Sequence, residues 1–156
     1  MWKKDSTGTA ESQVSKRVII GIDMGGNLWA TVIHDCVMRK DRYYGLKDRD
    51  KKRKEDRFYD LLREYLGQGY AVDVFYEAGR YGFAPARIML QLGAKVHILP
   101  INKLKVIMCG KVIKTDKLDA KFLSGLDPEA GLPEVYIPTV EQESRRDAER
   151  ELVRLS

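Results

Sequence analysis

Two apolar runs meet across a pair of glycines in RVIIGIDMGGNLWATVIHD, Arg17 to Asp35. This stretch restricts the fold more than any other. It reads as two buried strands joined by a turn at Gly25–Gly26. CVMRKDRYYG follows closely enough to supply a third strand before Gly45, so an antiparallel meander is expected. The pattern then changes period. KDRDKKRK (Lys47 to Lys54) reads as a solvated loop or helix start. Phe58, Leu61, Leu62, Tyr65 and Leu66 follow at helical spacing, stopped by Gly67 and Gly69. YAVDVFYEAG is a strand, FAPARIMLQLG a helix stopped at Gly93, and AKVHILP a strand ended by Pro100. The order β-β-β-α-β-α-β predicts an α/β fold with a mixed sheet, three antiparallel strands followed by alternating helices and strands.

After Pro100 the pattern is helical, with a break near Gly110. Thr115 is a suitable N-cap for a helix starting at Asp116. Leu118 and Phe122, four apart on that helix, are expected to face the core of the domain. DPEAGLPEVYIP is a proline-rich connection, and EQESRRDAERELVRLS is a charged, helix-prone segment. The expected organisation is a disordered tail over residues 1–16, a single domain over 17–139, and the start of a charged helical segment over 140–156. Such a segment could pair with another chain, continue in a longer protein, or simply fray.

The chain has 156 residues and a formal net charge of +5, with a pI near 9.1. A basic balance favours an acidic partner such as nucleic acid. No apolar run approaches the roughly 20 residues needed to cross a bilayer, and the N-terminus lacks the apolar region of a secretory signal. Cys36 and Cys109 lie far apart with no Cys or His at ligand spacing. A cytoplasmic, reduced protein without a zinc site is therefore expected.

Four acids stand out. Asp23 and Glu77 each end an apolar strand beside glycine. A charge at the mouth of a sheet costs several kcal/mol unless it is paired or metal-bound. Asp116 and Asp119 sit three apart on one helical face, in a stretch otherwise charged by Lys103, Lys105, Lys111, Lys114, Lys117 and Lys121. Oxygen-only ligands suit Mg²⁺ or Mn²⁺, and two such ions about 4 Å apart can act on a phosphodiester. The lysines, Lys111, Lys114, Lys117 and Lys121 foremost, would then hold a nucleic-acid backbone. Each acid also has an ordinary reading. Asp23 could be a turn residue, Glu77 a partner of Arg80 or Arg87, Asp116 a helix-start charge, and Asp119 a partner of Lys117 or Lys121. His34 and His97 read as packed or edge histidines, and Tyr76, Tyr81 and Phe83 as core and rim.

IIGIDMGGNLWATVIHD, VFYEAGRYGFAPARIMLQLGAKVHILP and KVIKTDKLDAKFLSGL together resemble the N-terminal domain of the DEDD transposases of the insertion-sequence 110 family. The most specific piece is KTDKLDAKFL, which matches that family's K-x-D-x-x-D-A element. The resemblance implies an RNase H-like, RuvC-like fold, with Asp23, Glu77, Asp116 and Asp119 as the metal-binding catalytic acids. It also implies DNA recombination and transposition at insertion-sequence ends, directed in part of the family by an element-encoded structured RNA. Family members continue into a C-terminal domain bearing a serine, which nothing here matches, so a fragment incomplete for full transposition is expected. A homodimer is a further partner the charged helix allows. Two other classes remain open. An actin-like or sugar-kinase-like ATPase shares the core, and GIDMGGNLWATV resembles its first phosphate hairpin. A non-catalytic nucleic-acid-binding remnant of a transposase is the other.

Overall fold

The computed structural model describes residues 16–100 and 116–156, leaving aside the side chain of Asp116. The expected tail up to residue 15, the Thr115 cap, Cys109, and Lys103, Lys105, Lys111 and Lys114 lie outside the described residues.

The meander forms as the sequence requires. Strand β1 (Arg17–Met24) turns at Gly25–Gly26 into β2 (Trp29–Asp35), which turns into β3 (Lys40–Leu46). Both pairings are antiparallel. The charge run then forms a loop, and helix α1 (Lys54–Gly67) starts at its last residue. No side chain at the N-cap serves α1; instead Asp48 accepts a hydrogen bond from the Lys54 backbone N–H at 2.8 Å. Strand β4 (Ala71–Glu77), helix α2 (Ala84–Leu92) and strand β5 (Lys95–Leu99) follow, with β4 parallel to both β1 and β5. Gly93 closes α2 in the left-handed region at φ 108°, a conformation open to glycine without strain. The result is one five-stranded mixed sheet in the order β3-β2-β1-β4-β5, the α/β arrangement with three antiparallel strands followed by alternating helices and strands that was expected.

Strand alternation sorts the core into two layers. Val18, Ile20 and Ile22 of β1, Trp29 and Ile33 of β2, and Val72, Val74 and Tyr76 of β4 face one way. There they pack with Phe58 and Leu62 of α1 and with Ala86 and Met89 of α2. The intervening residues face the other side, where helix α3 (Asp116–Ser124) lies. Ile19, Phe75 and Leu99 pack there with Leu123, while Ala30 and Val32 pack with Ala120. Burial on both faces explains why β1, β2 and β4 read as nearly continuous apolar runs.

The inner face of α3 differs from the expectation. Leu118 is 40% exposed and Phe122 is half-buried, whereas Asp119, Ala120, Leu123 and Ser124 are buried. The reason is Gly21. A Cβ added there would stand 2.1 Å from the Ala120 carbonyl oxygen and 2.5 Å from the Ser124 nitrogen. The helix backbone rests directly on the strand, so small residues must face it. Leu118, two residues before Ala120 and so about 200° around the helix, points outward.

Beyond α3 the proline-rich connection runs beside the sheet, and Val135 N–H donates to the Ile98 carbonyl at 2.7 Å. Helix α4 (Val140–Leu155) opens with a capping box between Thr139 and Gln142 and buries no residue. Arg87 ties its start to the domain, donating to the Pro138 carbonyl at 2.8 Å and pairing with Glu143 at 2.6 Å.

Candidate functional site

Asp23 and Glu77 meet because of parity and register. Both belong to the alternate set that faces α3, as Ile19, Gly21 and Phe75 do. The last paired residues of β1 and β4 are Gly21 and Phe75, and each acid lies two residues further along its strand. Parallel strands therefore bring the two carboxylates to the same edge. Asp119 approaches from above, 7% exposed on the inner face of α3. Asp23, Glu77 and Asp119 line one cleft of about 140 Å³, together with Arg80, Tyr81 and Leu123. Asp116 opens α3 one turn before Asp119, in the first turn, where the helix dipole favours acids.

The wall of this cleft is firmly built. Tyr76 is buried, and burial raises its phenol well above the ordinary value, so it stays protonated and donates to the Gly82 carbonyl at 3.1 Å. The Tyr81 hydroxyl donates to the Gly25 carbonyl at 2.9 Å, and its ring stands edge-on to Trp29 at 5.3 Å. The β1–β2 turn, the end of β4 and the following loop are thereby fastened to one another. Gly25 N–H donates to the Leu28 carbonyl at 2.9 Å, so it is engaged within the turn.

The cleft's donors are carboxylate oxygens, the ligand type that suits a hard divalent cation. Among the described residues, no group of three or more His, Cys, Asp or Glu side chains stands at ligand geometry. Of the lysines expected to hold a polyanion, Lys117 and Lys121 are exposed on α3. The Lys117 ammonium sits 4.8 Å from the Tyr43 ring centroid. Arg87, one of the partners considered for Glu77, is committed to Glu143 and Pro138.

A second charged cluster lies on the same face of the sheet, earlier along β4. Asp73, 2% exposed, pairs with Arg17 at 2.9 Å and lies 2.8 Å from His97 Nε2. His97 also contacts Glu134 and stacks on Phe75 at 4.5 Å. His97 thus lies on the edge strand β5, within the packed or edge reading, and His34, on the inner strand β2, lies 2.6 Å from Asp41. The acid in YAVDVFYE was the signal for this cluster: a charge inside an apolar run needs a partner. A larger cavity, about 260 Å³, lies at the opposite end of the sheet among Lys40, Arg42, Tyr44, Tyr65 and Tyr70. It contains none of the candidate residues.

No protein-family model matches the chain, and no curated protein matches it in sequence. Among solved structures, T. thermophilus RuvC in complex with Holliday junction substrate aligns with a TM-score of 0.42 and 15% identity, covering 69% of this chain and 90% of that chain. Among the described residues, no helix is long and apolar enough to cross a membrane.

Proposed function

We propose that this chain is the catalytic domain of a metal-dependent DNA recombinase of the DEDD transposase kind, acting on phosphodiester bonds. The observation that carries this reading is the convergence of Asp23, Glu77 and Asp119 on one cleft. Asp116, one helical turn from Asp119, would complete a set of four carboxylates in this reading. In this reading they hold Mg²⁺ or Mn²⁺, whose chemistry is Lewis acidity toward the phosphodiester.

The protein's own part is placement. β1 and β4 hold Asp23 and Glu77 on rigid strand ends. The contact of α3 with Gly21 sets the depth of Asp119. Lys117 and Lys121 place positive charge on the helix that carries the aspartates, where a DNA backbone would pass. Strand transfer in this reading needs a further, serine-bearing domain, with DNA ends and an element-encoded RNA as its partners. A phosphate hairpin of the ATPase kind is less favoured, because Gly25 N–H is already engaged within the turn.

Thermal unfolding with Mn²⁺ tests the metal half. A ligand held by the folded state alone stabilises it by about 2.7 kcal/mol at a hundred times Kd. Asp23→Asn is expected to lose most of that shift. An equal shift in the variant removes Asp23 from the ligand set, and no shift in the parent removes the metal. Stabilisation by ATP would point to the kinase-like class instead.

A further inference from the structure

We propose that Arg80 is a phosphate-binding residue at the mouth of the acid cleft, a role that rests on the recombinase reading proposed above and deepens it. Arg80 lines the same cleft as Asp23, Glu77 and Asp119. Other arginines near acids are paired: Arg17 with Asp73, Arg87 with Glu143, and Arg53 with Glu55. Among the described residues, Arg80 makes no ion pair and no hydrogen bond. Its recorded contact is with an aromatic face, the guanidinium carbon lying 5.8 Å from the Tyr81 ring centroid. That ring is itself fixed, through its hydroxyl on Gly25 and its edge contact with Trp29.

The turn is shaped around the guanidinium. A Cβ at Gly26 would lie 2.8 Å from Arg80 Nη2, so the second glycine of the pair clears the space the arginine occupies. A planar cation is thus seated between a tyrosine ring and a glycine turn, beside three carboxylates, with its N–H donors engaged by none of the described residues. The guanidinium fork matches two oxygens of a phosphate better than a lysine ammonium does. The ligand this suits is a phosphodiester oxygen pair on DNA entering the cleft. Carboxylates alone would repel that substrate, and Arg80 offsets them at the entrance.

The test is equilibrium binding of a short labelled DNA duplex in Mn²⁺ at several salt concentrations. It compares the parent chain with Arg80→Ala, Arg80→Lys and Gly26→Ala, with melting temperatures measured alongside. Loss of one phosphate contact flattens the slope of log affinity against log salt by about 0.9, which is roughly eightfold in affinity at about 0.1 M salt. Arg80→Ala is expected to show both changes. Arg80→Lys is expected to keep the slope and bind more weakly than the parent. Gly26→Ala leaves the charge unchanged but displaces the guanidinium, and is expected to weaken binding as well. Should Arg80→Ala melt early, Arg80→Lys carries the comparison, and parent-like affinity in it overturns the proposal. A parent that binds DNA while Arg80→Ala binds equally, with the same slope, overturns the role of Arg80 alone. A parent that binds no DNA and gains nothing from Mn²⁺ overturns the recombinase reading and this proposal together.

Discussion

Gly21 carries more of the site than any of the acids shows by itself. Its missing side chain lets the α3 backbone lie against β1, and a Cβ there would meet the Ala120 carbonyl and the Ser124 nitrogen. Both obstacles are backbone, so neither can rotate away. Gly21→Ala is expected to lift α3, destabilise the fold by about 1–3 kcal/mol, and reduce Mn²⁺ stabilisation beyond what the lost stability explains. Denaturant midpoints with and without Mn²⁺ separate the two effects. Glu55 makes a different prediction. Burial works to raise its carboxyl, but the backbone N–H at its own position, Arg53 and Lys54 outweigh that and hold it below the ordinary value. A carboxylate lowered on folding stabilises the native state above its unfolded pKa, and that contribution is lost as pH falls through the folded pKa. Urea midpoints between about pH 5 and pH 3 should therefore fall less steeply for Glu55→Gln than for the parent. A parallel decline in the two proteins would exclude Glu55 as a contributor.

Helices α3 and α4 differ in what holds them. α3 is clamped to the sheet by Ala120, Leu123 and Ser124, while α4 buries nothing and is tethered at its start by Arg87. Removing residues 140–156 should change stability by less than about 1 kcal/mol, since the charge pair that ties α4 to the domain among the described residues, Arg87–Glu143, is partly exposed. A large loss in that truncation would mean that α4 packs on the domain in solution. The same contrast explains what could be read from the sequence. Strand order, turns and helix starts were legible because period and glycine placement are local signals. The pairing of Asp23 with Glu77 at one edge was legible because both end apolar strands. The facing of α3 was not, because Leu118 and Phe122 satisfy helical spacing and the deciding contact is a glycine almost a hundred residues earlier. The Asp73–His97–Arg17 cluster escaped for a similar reason: its members come from three strands, and although Asp73 inside an apolar run calls for a partner, nothing local says which residue supplies it.

At the scale of the whole molecule, if the chain acts on DNA as proposed, charge decides how that DNA is held. The exposed Lys117 and Lys121 continue the basic stretch that also holds Lys111 and Lys114, which lie outside the described residues. Affinity for DNA should be weak, salt-sensitive and little dependent on sequence, because backbone contacts act through counterion release while base reading needs other groups. Replacing Lys111, Lys114 and Lys117 together by Ala should weaken binding and flatten the salt slope. Replacing Asp116 and Asp119 by Asn should keep binding or tighten it. A titration series in salt gives both answers, and an unchanged slope in the lysine variant would make the stretch an ordinary solvated face.

The position of β1 in the sheet also sets an order of assembly. Its antiparallel partner β2 is reached through a short turn, so that pairing closes a small loop at little entropic expense. Its parallel partner β4 arrives after β2, β3 and α1 have been traversed, and α3 arrives later still. Asp23 is thus placed in a local hairpin, whereas the neighbours that make it part of a cleft come through progressively more distant contacts. Contacts of high sequence separation form slowly. During synthesis the acids would be gathered one at a time from the N-terminal end, and the cleft would exist only once the chain had emerged past Ser124.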